Sequence, residues 1–538
     1  MPTQYFKRKW IIGIAVIICA GVGVATYFRA NFNWLGLVVV MIFYFLIFAV
    51  GIWAGKEKPG DGPDSFLLAG RKLPLWVAIM TMAATWIDGG YINGTAEYAA
   101  VNGLVWVQAP WGYAMSLIIG GIFFARKMRR FQFQTMLDPL SQRYGTKATA
   151  LFFLPAVSGE IFWTAAILTA LGTTFSIILG LSIEVSIIVS AAVAIIYTTL
   201  GGLRSVAYTD VLQLFMLIVG LFVVLPVIIL HAGGMETLWE TYLAKHGAAA
   251  YPIPDHASMG NYYWNWWDFA LLLMLGGIPW QVYFQRVLAT KSESAAMWLS
   301  ILAGAICLIV AVPAAIIGMI GGTTDWAALG LSGPESGAAT LPYVFQNLTT
   351  PIMALVGLAT VAAAVMSSID SSILSASSLA AWNVYKPLIK PDLSAVDLKK
   401  IIRRTIYIVG VSATILSLKV DSVYALWSLC SDFVYCLLFP ALVCAMFDPK
   451  ANTPGAVAGF AVAAFLRFGG GDPTLGLPVI LPYPMIEDGM VLFPFRTLSM
   501  ISGLITIIVI SRITQKKYPA KVLSMVKNPI PLSPDSNV

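Results

Sequence analysis

Charged side chains are scarce in this sequence. Lys, Arg, Asp and Glu make up 11% of its 538 residues, whereas hydrophobic residues make up 59%. Average soluble domains carry about 25% charged residues, so the composition excludes a large soluble protein and indicates an integral membrane protein. The net charge of +7 does not indicate a nucleic-acid partner, because the basic residues cluster in short loops between apolar runs, as positive-inside topology requires.

Reactive and metal-ligating residues are also few. All three histidines lie in or next to the 232–265 loop, and no GxSxG, P-loop or HExxH motif is present, so an enzyme would lack a catalytic constellation and no organic cofactor is expected. The cysteines lie in apolar runs without a CxxC pair, which indicates small core residues rather than a disulfide framework or a metal site. They are Cys19, Cys307, Cys430, Cys436 and Cys444.

Long apolar runs are abundant, and each could cross a hydrocarbon core of about 30 Å. They predict an all-α membrane protein with about thirteen transmembrane helices, or fourteen if Trp10–Phe28 is one. That run follows Lys7–Lys9 and fits a secretory signal or an inserted helix, of which we favour the helix. The other predicted spans are 34–55, 73–98, 104–125, 149–178, 184–200, 208–231, 266–287, 296–320, 341–381, 401–418, 422–447, 453–470 and 495–512.

Loop charges alternate along the chain. Basic residues concentrate in 56–72, 126–130 and 383–404, whereas 321–340 contains no Lys or Arg, which orients the spans in the bilayer. The predicted organisation divides the chain into an N-terminal segment, a peripheral helix with its loop, a first repeat, an outside loop, a second repeat, two further helices and a tail. Their bounds are 1–33, 34–72, 73–231, 232–265, 266–447, 448–512 and 513–538.

Two apolar segments are interrupted by glycine and proline. Gly276, Gly277 and Pro279 interrupt 271–286, and a Gly pair interrupts 81–95. Broken backbone at membrane depth is tolerated only where it is buried in protein or lines a cavity. Each break opens a run of five spans, which predicts a five-plus-five inverted repeat with two discontinuous helices around a transporter's central binding site.

Aromatic residues stand at or near these breaks. Trp86 and Trp280 lie directly at the two interruptions, whereas Trp163 and Tyr113 lie within the following spans. Several aromatic faces together can bind a quaternary ammonium ion by cation–π attraction, without hydrogen-bond donors on the ligand. The competing interpretation is packing or an interfacial belt, because the chain has 17 tryptophans.

Acidic and hydroxyl side chains within the spans form a second group of candidates. Intramembrane acids are costly and often functional, although Glu160 and Asp432 are equally compatible with structural anchoring, and Asp210 with helix N-capping. Asp370 lies in an unusually serine-rich run, 367–378, whose hydroxyls could glue helices together. Those hydroxyls, with backbone carbonyls freed near Trp86, also suit Na⁺ as a hard cation.

Several motifs resemble the sodium/solute symporter family, and its choline-transporting branch in particular. The resemblance extends from about residue 34 to about residue 512. Its motifs are GGYINGTAE (89–97), QAPWGY (108–113), TMLDP (135–139), LPAVSGEIFWTAA (154–166), GGLRSVAYTDVLQLF (201–215), LLLMLGGIPWQVYFQRVL (271–288) and AAVMSSIDSSILSASS (363–378).

The resemblance implies a leucine-transporter-type fold and a plasma-membrane symporter in which Na⁺ drives choline import with chloride dependence. Its partners would be choline, sodium, chloride and the lipid bilayer. The implied choline site is Trp86, Trp163, Trp280 and Tyr113. The implied sodium site is Ala84, Ile87, Ala364, Ser367 and Ser368, and a second sodium site would fall on Asp210, Ser367, Asp370 and Ser371.

One position departs from the pattern of this resemblance. Asp88 stands where animal choline transporters of the family have glycine, two residues from Trp86. An added acid there would strengthen cation binding or alter ion coupling. The alternative function is therefore a Na⁺ symporter for another quaternary ammonium or small solute, whereas a channel would not need paired broken helices and an aromatic cage.

Overall fold

The computed structural model describes residues 33–54, 67–200, 202–420, 422–487 and 489–526. This part of the chain is mainly helical, with a short antiparallel hairpin between Ile486–Glu487 and Met490–Val491. The run at Trp10–Phe28 lies outside the described residues.

The first set of helices follows the peripheral helix Trp34–Ala54. It opens with a first broken helix, whose halves are Leu75–Trp86 and Gly89–Val101. The next helix, Ala109–Gly120, continues through a π-helical turn and ends at Arg130. Short helix Asp138–Tyr144 leads to Thr146–Leu179, Ile183–Leu200 and Leu203–His231.

The second set repeats this layout. It opens with a second broken helix, whose halves are Tyr262–Gly276 and Gln281–Ala289. The helices that follow are Glu293–Thr323, Thr340–Leu348, Pro351–Leu379, Ala395–Ser417 and Val423–Phe433 with its continuation to Phe447, and beyond the set come Thr453–Gly469 and Phe495–Thr514. Each set thus has five spans beginning with an interrupted helix, as the sequence predicts.

Local chemistry explains both interruptions. In the first, Ile87 leaves helical geometry at φ −87° and ψ 71°. Asp88 then caps the second half by accepting the Tyr91 backbone N–H at 2.6 Å, and the halves meet at a 47° bend. In the second, Pro279 cannot donate a backbone hydrogen bond, and Trp280 adopts an extended conformation at φ −111° and ψ 135°.

Some sequence expectations need correction. The predicted span 341–381 is two helices, because the Thr350 hydroxyl accepts the Met353 N–H at 3.4 Å and Pro351 begins a new helix. Asp210 is not a helix cap, since its helix begins at Leu203. The 232–265 loop contains the helices Met235–His246 and His256–Met259.

Length and apolar composition alone identify eight membrane-crossing helices in the described chain, or nine with the bent pair Leu75–Trp86 and Gly89–Val101. Every predicted span from residue 34 onward nevertheless has a helix or a helix pair at its position. The remaining helices are shorter or, like Ala395–Ser417, carry several charged residues at one end.

Pro351–Leu379, which we call the serine-rich helix, lies at the centre of the molecule. Its residues from Gly357 to Leu379 are all buried, and it packs against Thr146–Leu179 and Leu203–His231. Buried hydroxyls must find internal partners. Leu75–Trp86 and Gln281–Ala289, which we call the inner halves of the two broken helices, also contact this helix. The interruptions and the buried hydroxyls therefore lie close together.

Candidate substrate and sodium sites

An aromatic cavity lies between the two interruptions. All four residues predicted for a cation cage line it, and each is no more than 6% exposed. The lining consists of Trp86, Tyr113, Trp163, Trp280, Val282, Trp427 and Cys430.

The rings of this cavity approach one another as edges and tilted faces. Trp163 and Trp280 meet at a centroid distance of 5.3 Å and an interplanar angle of 88°. Tyr113 and Trp427 are 4.7 Å apart at 47°. In an edge-on or tilted pair the two ring faces are not stacked on each other. A face that is not covered by another ring can attract a cation.

The polar ends of the rings are held by the protein. The Trp280 indole N–H donates to the Gly276 carbonyl at 2.8 Å, which satisfies a carbonyl at the end of the outer half-helix. The Tyr113 hydroxyl contacts Ser431 and donates to the Trp427 carbonyl at 3.2 Å. These bonds hold the Trp280 and Tyr113 rings in their orientations at the cavity.

Trp427 is a cavity residue that the sequence interpretation missed. It lies on Val423–Phe433, and its ring also packs edge-on against Tyr91 at 5.7 Å. No glycine or proline break marks its position, so by sequence it resembles the packing tryptophans of other spans. Its only sequence signal is that an intramembrane acid, Asp432, follows on the same helix.

Asp88 is linked to the aromatic cavity by a hydrogen bond from Trp163. Its carboxylate accepts the Trp163 indole N–H as well as the Tyr91 backbone N–H, and its side chain is fully buried. Asp88 therefore caps the N-terminus of Gly89–Val101 and holds the Trp163 ring of the aromatic cavity. Asp88 joins the first interruption to the helix Thr146–Leu179.

Hydroxyls and carbonyls converge beside the first interruption. The Ser367 hydroxyl donates to the carbonyls of Ala84 at 3.0 Å and Ala364 at 2.7 Å. The Ser368 hydroxyl lies 3.1 Å from the Thr85 carbonyl and 3.4 Å from that of Ala84. Such an uncharged oxygen set suits Na⁺.

Four of the five predicted sodium ligands thus lie together, and Ile87 is the residue at which the first half-helix ends. The Thr85 carbonyl is an additional oxygen that the sequence interpretation did not name. In the described part of the chain, no group of three or more His, Cys, Asp or Glu side chains is placed to hold a metal ion. The hydroxyl–carbonyl set is therefore the stronger candidate for a cation.

A buried arginine lies among the residues predicted for a second sodium site. Arg286, from the inner half of the second broken helix, is fully buried. Its Nη2 lies 2.7 Å from the Ser371 hydroxyl and 3.3 Å from Asp210 Oδ2. Asp370 lies at the edge of this group, with Oδ1 3.5 Å from the Ser371 hydroxyl. The sequence interpretation did not single out Arg286.

The two remaining intramembrane acids have different partners. Glu160 accepts a hydrogen bond from Ser375 on the serine-rich helix. Asp432 is bidentate to Arg467, at 2.6 and 2.7 Å, and also accepts from Arg496 Nε at 2.8 Å. Asp432 is thus a structural anchor, one of the two alternatives left open by its sequence.

A larger cavity, which we call the vestibule, lies next to the aromatic one. Its lining includes Tyr262 from the 232–265 loop, Trp106 from the start of the predicted span 104–125, and Asp432. Val423–Phe433 contributes to both cavities, Trp427 to the aromatic one and Ser428 to the vestibule.

Comparisons with known proteins agree on one family. The sequence model of the sodium:solute symporter family matches residues 66–463. The chain is 44% identical to the high-affinity choline transporter 1 of Caenorhabditis elegans, covering 91% of this chain and 87% of the relative. It is also 44% identical to the human high affinity choline transporter 1, over 91% of this chain and 86% of that protein.

The fold is shared with a solved transporter structure. A Na⁺-coupled sialic acid symporter in a substrate-bound, outward-open state superposes with a TM-score of 0.75 at 19% identity, over 91% of this chain and 99% of that one. This likeness confirms the leucine-transporter-type fold predicted from the sequence. The chain belongs to the sodium:solute symporter family, as a multi-pass membrane transporter and not an enzyme.

Proposed function

We propose that this protein imports choline across the plasma membrane, driven by Na⁺ and dependent on chloride, by alternating access around the two interruptions. The observation that carries the proposal is the aromatic cavity, in which five indole and phenol rings surround one space. The names of the 44% identical relatives support choline as the substrate.

The cavity suits a quaternary ammonium for a physical reason. A trimethylammonium group has no N–H donors, so oxygen acceptors would be of little use to it, whereas aromatic faces attract its diffuse charge. Each desolvated face contributes about 1–2 kcal/mol, so several faces together offset dehydration of the cation. In our proposal Trp86, Trp163, Trp280, Tyr113 and Trp427 supply these faces.

Sodium would bind at the oxygen set beside the first interruption. The proposed ligands are the carbonyls of Ala84, Ile87 and Ala364 with the hydroxyls of Ser367 and Ser368. This set includes atoms of both the first broken helix and the serine-rich helix. A bound ion would hold these elements together, so sodium and choline, both contacting the first interruption, would favour each other's binding.

The direct test is uptake of radiolabelled choline into proteoliposomes containing the purified protein. We expect accumulation with an inward Na⁺ gradient and none when K⁺ replaces Na⁺. Replacement of chloride by gluconate should reduce the uptake. Choline accumulation that is indifferent to the Na⁺ gradient would overturn the central proposal, whereas full uptake in gluconate would remove only the chloride requirement.

A second candidate is a symporter for another quaternary ammonium or a small solute, and Asp88 favours it. An acid bonded to a cage ring changes both the charge and the ring position relative to the glycine found in animal choline transporters. We expect Asp88→Gly to change the relative uptake of choline, betaine and proline by at least several-fold, measured by competition against labelled choline. An unchanged preference order would remove Asp88 as a determinant of selectivity.

A further inference from the structure

The fully buried guanidinium of Arg286 is the starting point for this inference, which rests on the proposed sodium coupling. Arg286 lies on the inner half of the second broken helix, and its neighbours belong to three other helices. They are Thr81 on the first broken helix, Asp210 on Leu203–His231 and Ser371 on the serine-rich helix. One side chain therefore joins four elements of both sets.

The contacts around this guanidinium are extensive. Arg286 Nε lies 3.2 Å from the Thr81 hydroxyl, and Nη1 donates to the Val282 carbonyl at 3.3 Å. The Thr81 hydroxyl in turn donates to Asp210 Oδ2 at 2.5 Å. Asp210 Oδ2 and the Ser371 hydroxyl, two oxygens that a second sodium ion would need, are thus already engaged by Arg286.

We propose that the Arg286 guanidinium takes the place of a second sodium ion, so that this transporter binds a single Na⁺, at the Ser367 and Ser368 site. A guanidinium is charged at all relevant pH values and cannot leave with the substrate. It supplies a permanent positive charge between Asp210 and Ser371. A free cation entering the same space would meet this like charge at close range in a medium of low dielectric.

The geometry also indicates what removal of the charge would do. Asp210 Oδ1 is buried and has no hydrogen-bond partner in the described part of the chain. With a neutral side chain at position 286, Asp210 Oδ2 and the Ser371 hydroxyl would lose their contact with a cation, and Oδ1 would be available as a further oxygen ligand. A hard cation such as Na⁺ accepts this combination of ligands.

The experiment is equilibrium binding of ²²Na⁺ to the purified protein, counted as ions per chain. We expect one ion in the wild type, one in Arg286→Lys, which keeps the charge, and two in Arg286→Gln, which removes it. Two ions in the wild type would overturn the proposal. One ion in folded Arg286→Gln would likewise overturn it, because the charge would then not be what excludes the second ion.

A second measurement tests the proposal without a variant, in case Arg286→Gln does not fold. In wild-type proteoliposomes, simultaneous uptake of ²²Na⁺ and ¹⁴C-choline should give a flux ratio of one. A ratio of two would overturn the proposal even without any variant. Absence of choline uptake would contradict the proposed function, yet the count of bound ²²Na⁺ would still decide the role of Arg286.

Discussion

Three aromatic side chains of the cavity have a polar end that the protein anchors. Trp280 is held by the Gly276 carbonyl, Trp163 by Asp88 and Tyr113 by Ser431. A ring that cannot rotate loses little entropy when a ligand binds. Removing a ring should therefore weaken binding by its own cation–π contribution together with the disorder it introduces among its neighbours.

We expect Trp280→Ala to raise the choline dissociation constant by at least about tenfold, because a loss of about 1.4 kcal/mol corresponds to a factor of ten. Trp280→Phe should retain part of the affinity. Equilibrium binding of labelled choline in detergent measures both. Trp298→Ala is the matched control, since that tryptophan is 45% exposed on the molecular surface, and equal losses in the two alanine variants would contradict the cage.

Hydroxyls of the serine-rich helix should differ in importance according to their partners. Ser368→Ala removes an oxygen shared with the first interruption, so we expect the Na⁺ concentration for half-maximal choline uptake to rise by about tenfold. Ser377→Ala is the control, because in the described part of the chain the Ser377 hydroxyl bonds only the Ile373 carbonyl of its own helix. A comparable rise in the control would argue against a sodium site at Ser368.

At the scale of helices, Gly90 allows the first broken helix to pack closely against Trp427 of the aromatic cavity. A methyl group on Gly90 would lie 2.7 Å from the Trp427 ring, well inside van der Waals contact. Helical glycine otherwise costs about 1 kcal/mol relative to alanine. Glycine at position 90 therefore lowers the stability of its helix but permits close contact between Gly89–Val101 and Val423–Phe433.

We expect Gly90→Ala to weaken choline binding several-fold by displacing Trp427. Labelled choline binding and thermal unfolding of the same sample distinguish this from misfolding. Gly357→Ala on the serine-rich helix is the control, because its methyl group would meet the Phe345 ring of Thr340–Leu348 at 3.1 Å, and Phe345 does not line the aromatic cavity. Full choline affinity in Gly90→Ala would show that the Trp427 ring does not contribute to the site.

At the scale of the whole molecule, a buried charge network fastens the vestibule end of the bundle. Asp432 is bonded by Arg467 and Arg496, Arg467 also pairs with Asp472 at 2.6 Å, and Arg496 lies 3.7 Å from Asp268. These residues belong to the second broken helix, Val423–Phe433 and the two C-terminal helices with their connection. Breaking a buried pair leaves an uncompensated charge, which is strongly destabilising.

We expect Arg467→Met to destabilise the protein by about 3–5 kcal/mol, because Asp432 and Asp472 would keep buried charge without this partner. Thermal unfolding in detergent measures the effect. The control is Arg130→Gln, since Arg130 pairs with Glu293 at 2.9 Å in an exposed position and solvent screens that pair. A melting temperature unchanged by Arg467→Met would show that the network does not hold the bundle together.

Much of the architecture could be predicted from the sequence because its causes are local. Apolar runs, Gly and Pro interruptions and loop charges determine helices, breaks and orientation with information from neighbouring residues alone. The same holds for Trp86 and Trp280, which stand at the interruptions, and for Ser367 and Ser368. Local information was insufficient at 341–381. This single apolar run forms two helices, because Thr350 caps the start of a second helix at Pro351.

Only the tertiary structure decided which distant residues share a site. Trp427 contacts Tyr113 at the aromatic cavity, and Arg286 contacts Asp210 and Ser371, between residues 76 to 314 positions apart. The sequence around each residue does not show these partners, since a tryptophan or arginine in an apolar run is compatible with packing, a belt or an ion pair. The sequence by itself determined a sodium:solute symporter with two broken helices, and packing of those helices decided which side chains face the cavity and which buried charges are paired.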